Sequence, residues 1–183
     1  MIETLDALIA QQNEEGHDLT ILRKVEHLWD ARLQEALEAW LNRGTIGATS
    51  LRKLLDVLLD HGSQLARSRA EAVLDTPPSG AGDPGDYRFH AGMALLLHTP
   101  DAGWASVWPT MQRDLDHGRR LAEVLSYRED RHGGTVASRL SEEQLAALYE
   151  WLVEQYPPEE DPEPNRRAIA TEVNIPQQYR VLA

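Results

Sequence analysis

Cysteine is absent from the 183 residues. That excludes disulfides and thiolate metal sites, and it makes a reducing, cytoplasmic setting the expected one. Phenylalanine occurs once, leaving most apolar packing to Leu and Ala, which lose little rotamer freedom in helices. No apolar run approaches the roughly 18 to 20 residues needed to cross a bilayer. The N-terminus also has neither the basic region nor the apolar core of a secretion signal, so no membrane partner is expected. Positive charge is scarce: 18 Lys and Arg stand against 30 Asp and Glu, a net charge of −12. Broad binding to phosphates requires a basic surface, so nucleic acid is not expected as a partner. Strand-like alternation of apolar and polar residues bounded by turns is missing, which argues against a sheet. No G-x-S-x-G serine signature occurs. The stretch GTIGATS, residues 44 to 50, lacks the lysine of a phosphate loop and follows a helical pattern, so it reads as a turn that starts a helix.

What is present is helical periodicity. Apolar residues make up 42% of the chain, and a domain of this size buries roughly 70% of its unfolded surface. Ile2, Leu5, Leu8 and Ile9 predict an opening helix over residues 2 to 13. Asp18 is placed to cap a second helix whose stripe runs through Ile21, Leu22, Val25, Leu28, Trp29, Leu33, Leu37, Trp40 and Leu41 to a stop at Gly44. One continuous helix is favoured there because no Gly or Pro interrupts it; the alternative is two helices broken near Asp30. Thr49 or Ser50 is placed to cap the next helix, which carries Leu51, Leu54, Leu55, Leu58 and Leu59 and stops at Gly62. A helix from Ser63 to Leu74 follows, with Leu65, Ala66, Ala70, Val73 and Leu74 as its stripe. Residues 76 to 86, TPPSGAGDPGD, are expected to form a mobile loop.

Helix resumes from Tyr87 to His98, with Phe89, Met93, Leu95, Leu96 and Leu97. Pro100 to Gly103 reads as a turn, followed by a hairpin of Trp104–Arg113 and His117–Tyr127 in which Pro109 is tolerated or kinks the first arm. Residues 128 to 140 read as a loop. Ser141 and Gln144 stand in the capping-box relationship ahead of Leu145, Leu148, Tyr149, Leu152 and Val153, and Pro157-Pro158 ends that helix. The expected architecture is all-α: seven or eight helices in stacked antiparallel hairpins, an α-α superhelix or HEAT-like array. Residues 1 to 156 would form a single domain, with layers of about 1–75 and 86–156 joined by the loop. Residues 157 to 183 would be a largely irregular tail.

Few side chains suggest chemistry. His90 and His98 are eight apart, on one helix face but two turns distant, too far to chelate one ion unaided. Asp114, Asp116 and His117 cluster at a predicted turn, where Asp satisfies free backbone donors; Arg131 with His132 is a further pair. A small helical-bundle enzyme or metal-binding protein built on His90, His98, Asp114 and His117 is the alternative reading. The favoured one assigns no catalytic, cofactor-binding or metal residues. Trp29, Trp40 and Trp151 lie in apolar stripes and read as core anchors, as Trp104 and Trp108 can too. Trp and Tyr are also enriched at binding hot spots, so Trp104 and Trp108 are candidate interface residues, Trp104 foremost because the pattern starts its helix there, directly after a Gly turn. The acidic, proline-interleaved Glu159, Glu160 and Asp161 read as a solvated linker or a docking strip for a basic partner.

Two segments carry a family resemblance. LLLHTPDAGWASVWPTMQRDLDHGRRLAEVL and LSEEQLAALYEWLVEQYPPEEDP resemble the helical-repeat region that follows the nucleotide-binding core of bacterial NACHT-type (STAND) NTPases. The matching points are Gly103-Trp104, Trp108, Asp114, Gly118, Leu145, Leu148, Tyr149, Trp151, Leu152 and Tyr156 through Pro162. Coverage is roughly residues 86 to 162, with weaker similarity over GATSLRKLLDVLLDHGSQLARSRAEAVL. The resemblance implies a non-catalytic scaffold that senses a trigger or restrains the NTPase switch, in many members for antiphage defence, with a protein or the other domains of a larger NTPase as partner. The chain has no phosphate loop, acidic metal-binding strand motif or effector domain, so ATP hydrolysis does not transfer to it. Such proteins continue into further helices where this chain stops soon after Tyr179-Arg180, so an excised piece is expected over a stand-alone relative.

Overall fold

In the computed structural model, which describes residues 2–43, 45–76, 84–125 and 135–156, the second half of one helix is buried on every side. This is α6 (Pro84–His98), reached after α1 (Ile2–Glu14), α2 (Thr20–Val25), α3 (Ala31–Leu41), α4 (Ala48–Asp60) and α5 (Gln64–Asp75). It is followed by α7 (Pro100–Arg113), α8 (Leu115–Ala122) and α9 (Glu142–Gln155), with single 3-10 turns at Glu26–Leu28 and Ala137–Arg139. From Ala91 through Leu97 every residue of α6 is buried, as expected of a helix that is apolar all round. Its neighbours α4, α5, α7 and α8 pack against it.

The long-range contacts show how the hairpins stack. Tyr87, at the start of α6, donates its hydroxyl to the Ile46 carbonyl just ahead of α4, at 2.8 Å; burial pushes that phenol's pKa up. His98, at the end of α6, lies beside Asp56 and Asp60 at the end of α4. Helices α4 and α6 therefore run side by side in the same direction. Glu71 meets Ser106 and Asp75 meets Arg113, so α5 and α7 also share a direction. Arg88 meets Asp114, while Gly103 sits against Leu95, so α6 and α7 are antiparallel. Two helical hairpins, α4–α5 and α6–α7, are thus stacked in register, and the all-α expectation holds.

Local chemistry sets several helix ends. Gly62 takes φ 77° after α4, a conformation that costs glycine little. Ser63 then caps α5 by accepting from Ala66 N at 3.0 Å. Ser141 and Gln144 form the capping box anticipated for α9. Pro109 lies inside α7 without ending it; its missing N–H leaves the carbonyl of the exposed Ala105 to water.

Other boundaries differ from the sequence expectation. The single helix from residue 18 to 43 is two helices: Trp29 is extended at φ −56°, ψ 122°, and Asp30 caps α3 by accepting from Leu33 N at 2.7 Å. Asp18 caps nothing and instead pairs with Arg52 at 3.1 Å. Neither Thr49 nor Ser50 caps α4. Gly47 is its N-cap, and the Asn13 side chain accepts from Gly47 N at 2.8 Å. Pro100 to Gly103 is no turn but the first turn of α7, with Pro at a position where its lost N–H is an orphan anyway. Helix α8 begins at Leu115 and ends at Ala122, rather than spanning His117 to Tyr127. Leu65 faces outward. Most of the expected loop of 76 to 86, part of that of 128 to 140, and the tail of 157 to 183 lie outside the described residues.

At Gly103 α7 lies against the backbone of α6: a Cβ there would collide with the Leu95 carbonyl oxygen and carbon. Because backbone rather than a pliable side chain occupies the space, Gly103→Ala is expected to cost about 3 kcal/mol, a fall in Tm of about 10 °C in a chain of this size. Ala105→Ser, on the exposed face of the same helix, should change stability by less than about 0.5 kcal/mol. Thermal unfolding followed by far-UV circular dichroism checks both; equal Tm values for the two variants would contradict the packing described.

Candidate functional site

The α6–α7–α8 junction brings together Asp114, Asp116 and His117, the cluster the sequence singled out at a turn. Asp114 ends α7 and caps α8, its carboxylate accepting from His117 N at 3.2 Å and pairing with Arg88 at 3.1 Å. Around this corner Arg88, Thr110, Arg113, Asp114, Leu115, Asp116 and Arg119 line an open cleft of about 540 Å³. Leu115 is 42% exposed in it. Arg113 reaches Asp75 at 3.0 Å, and Arg119 reaches the Gln155 side chain of α9 at 3.3 Å. Arg120 lies over the Phe89 ring, 4.5 Å from its centroid, and pairs with Asp86 at 2.6 Å. These pairs are partly exposed and screened, so each contributes at most about 1 kcal/mol. Their effect is to fix an apolar side chain within a frame of alternating charge.

His117 sits behind the cleft and is buried, its Nε2 without a hydrogen-bond partner. Burial lowers its pKa from the ordinary 6.5; Asp114 opposes the shift, while Arg88 and Arg120 reinforce it. Tyr156, below Arg119 at 5.7 Å, is raised by burial first and by Glu123, against Arg119.

The tryptophans form the wall next to this corner. Trp104 and Trp108 stack with centroids 4.7 Å apart and planes 15° off parallel, and Trp151 of α9 meets Trp108 edge-on at 6.2 Å. A Cβ on Gly118 would fall 3.0 Å from Trp151 Cζ2 and 2.6 Å from the Met111 carbonyl oxygen, so this position admits the indole only because it lacks a side chain. Trp104 is 8% exposed. The expectation that it opens its helix and offers a surface hot spot is therefore corrected: it lies a full turn inside α7, where its ring is buried in the core. Trp108 is half-buried beside it, and Trp29, Trp40 and Trp151 also pack in or against the core. Glu159, Glu160, Asp161, Arg131 and His132 lie outside the described residues.

The constellation of His90, His98, Asp114 and His117 does not converge. Asp114 and His117 adjoin Arg88, whereas His98 is ten residues further along α6, about 15 Å by helical rise. His90 lies edge-on to Phe89, 5.5 Å between centroids. His98 belongs to a different group, which the sequence reasoning missed. Its Nε2 is 3.6 Å from Asp56 and its Nδ1 3.5 Å from Asp60. The next residue, His61, stacks on Trp29 at 3.7 Å and faces Glu26 at 3.9 Å. The only local signal was Asp56 and Asp60, one helical turn apart, with His61 following. The Gly-rich stretch before α4 is a helix-starting turn, as expected, with Gly47 as its N-cap.

His117 makes the fold sensitive to acid. Its folded pKa lies below the unfolded value, so as pH falls the unfolded chain takes up the proton first. The stability it contributes is present above the unfolded value and is lost on acidification. Between about pH 7.5 and about pH 5.5, His117→Gln should show a shallower fall in Tm than the parent protein. Parallel slopes in a pH series of melting curves would refute that assignment.

No described helix is long and apolar enough to cross a membrane. No family model, no curated protein and no solved structure matches this chain.

Proposed function

We propose that the chain is a protein-binding helical scaffold without chemistry of its own, acting in the cytoplasm as a sensor or regulatory segment of a NACHT-type NTPase, in the setting of antiphage defence. The observation that supports this most is the cleft at the α6–α7–α8 corner. An exposed Leu115 stands there among three arginines and two aspartates, the mixture of an apolar anchor and a polar rim that protein interfaces use. Stacked hairpins hold such a corner rigidly, because each helix is positioned by the pair beneath it. The occupant that fits is a partner segment with one apolar side chain flanked by groups of both charges. Such a segment could come from another protein or from other domains of a larger NTPase. The family resemblance over residues 86 to 162 spans this same corner.

The test is partner capture from cells of the source organism by the parent protein and by Leu115→Arg. Leu115 is exposed at the start of α8, so the substitution leaves the packing intact. A NACHT-type NTPase should be enriched by the parent protein, and Leu115→Arg should weaken its binding about 30-fold, the loss of one hot-spot residue. An NTPase retained equally by both proteins would remove the cleft from the account. Capture of no protein, together with turnover of a small molecule by the purified chain, would remove the scaffold reading itself.

A further inference from the structure

We infer that the ends of α4 and α6, with the 3-10 turn at Glu26–Leu28, form a binding site for a divalent transition-metal ion of the zinc class, ligated by Glu26, Asp60 and His61. The proposal is independent of the scaffold reading and uses a different face of the molecule. One donor atom from each of the three side chains lies within 4.8 Å of the others. Tetrahedral zinc, with bonds of about 2.0 to 2.1 Å, needs donors about 3.4 Å apart, so the donors have to close by no more than about 1.4 Å from the spacing present. The imidazole is already aimed. His61 Nε2 is buried with no hydrogen-bond partner, 3.9 Å from Glu26 Oε1, and the ring is held by its stack on Trp29, 8° from parallel. That nitrogen faces the Glu26 carboxylate with no hydrogen bond made, so an ion seated between them would be ligated by both.

The surroundings supply what usually supports such ligands. Metal-bound carboxylates are commonly fixed by a second hydrogen-bonding group behind them. Here His98, with 8% of its side chain exposed, lies 3.5 Å from Asp60 by Nδ1 and 3.6 Å from Asp56 by Nε2. In this proposal His98 is the positioning residue for Asp60 through that charge contact, with Asp56 against its other nitrogen. Three carboxylates, Glu26, Asp56 and Asp60, gather here with two imidazoles, His61 and His98. One nitrogen and two oxygen donors suit Zn²⁺, Fe²⁺ or Mn²⁺ in preference to soft, thiolate-seeking ions. The ligand side chains keep partial exposure, 18% for Glu26, 19% for Asp60 and 26% for His61. An ion can reach them, and a coordination position is left for water.

The experiment uses the full chain without a histidine tag, stripped with a chelator and then titrated with Zn²⁺ by calorimetry and with Co²⁺ by visible absorption. About one ion should bind per chain, with a Co²⁺ spectrum of low coordination number and a rise in Tm on loading. Asp60→Asn and Glu26→Gln should each abolish stoichiometric binding while keeping the far-UV circular dichroism of the parent. His98→Gln should weaken binding about 10- to 100-fold, the usual effect of losing a group that orients a ligand. His17→Gln, at an exposed histidine paired with Glu15, should leave it unchanged. The two carboxylate variants keep the test valid if His61 variants lose the Trp29 stack and misfold. Absence of stoichiometric metal, or binding that survives both Asp60→Asn and Glu26→Gln, would overturn the site.

Discussion

Burial of α6 on all sides from Ala91 to Leu97 is the constraint from which the remaining architecture follows. A helix with apolar side chains around its whole circumference cannot face water anywhere. Helices must therefore cover it from several directions, and α4, α5, α7 and α8 do so. Once α4 lies alongside it in the same direction, the ends of the two helices are forced together. Tyr87 then reaches the chain before α4, and His98 is delivered between Asp56 and Asp60. Polar groups at the two ends of the buried rod are thus consequences of its middle. At one end a hydroxyl satisfies a carbonyl; at the other an imidazole is enclosed by carboxylates.

Close approach is the second condition. Three glycines of the α6–α7–α8 region leave little room for a side chain: a Cβ would press on Leu121 at Gly92, on Leu95 at Gly103 and on Trp151 at Gly118. Packing density in such a core resembles a molecular crystal. A chain with a single Phe fills its volume with Leu, which is compact, and with Trp, which is not. The Trp151 indole is accommodated by the missing side chain of Gly118 opposite it.

Much of the helical layout was legible in the sequence because it is local. Leucines at three- and four-residue spacing placed α4, Gly62 ended it, and Ser141 with Gln144 marked the start of α9 within one turn of chain. The errors were of two kinds. In residues 18 to 41 the apolar stripe stays in phase across the break, so periodicity could not reveal it. The decisive features were the Asp30 side chain, which competes for backbone donors, and the extended Trp29, whose stack on His61 is a contact across more than thirty residues. At Pro100 the same residue type that ends helices also begins them, and taking it as a turn placed Trp104 at an exposed helix start. That single misplacement made a buried side chain look like a surface one. The grouping of Glu26, Asp60, His61 and His98 was illegible for a simpler reason: no spacing within one helix relates α4, α6 and the turn before α3.

Helix α9 is joined to the rest differently from its predecessors. It meets them through Trp151 on Trp108 and Gly118, and through Gln155 with Arg119, that is, through long side chains and not through backbones in close contact. A rod attached through side chains alone, Leu148, Trp151 and Leu152, separates with less loss than one interlocked at glycine crossings. Amide exchange should therefore proceed in two tiers: α9 opens as a unit at a free energy well below global unfolding, while the amides of α6 exchange only when the whole molecule comes apart.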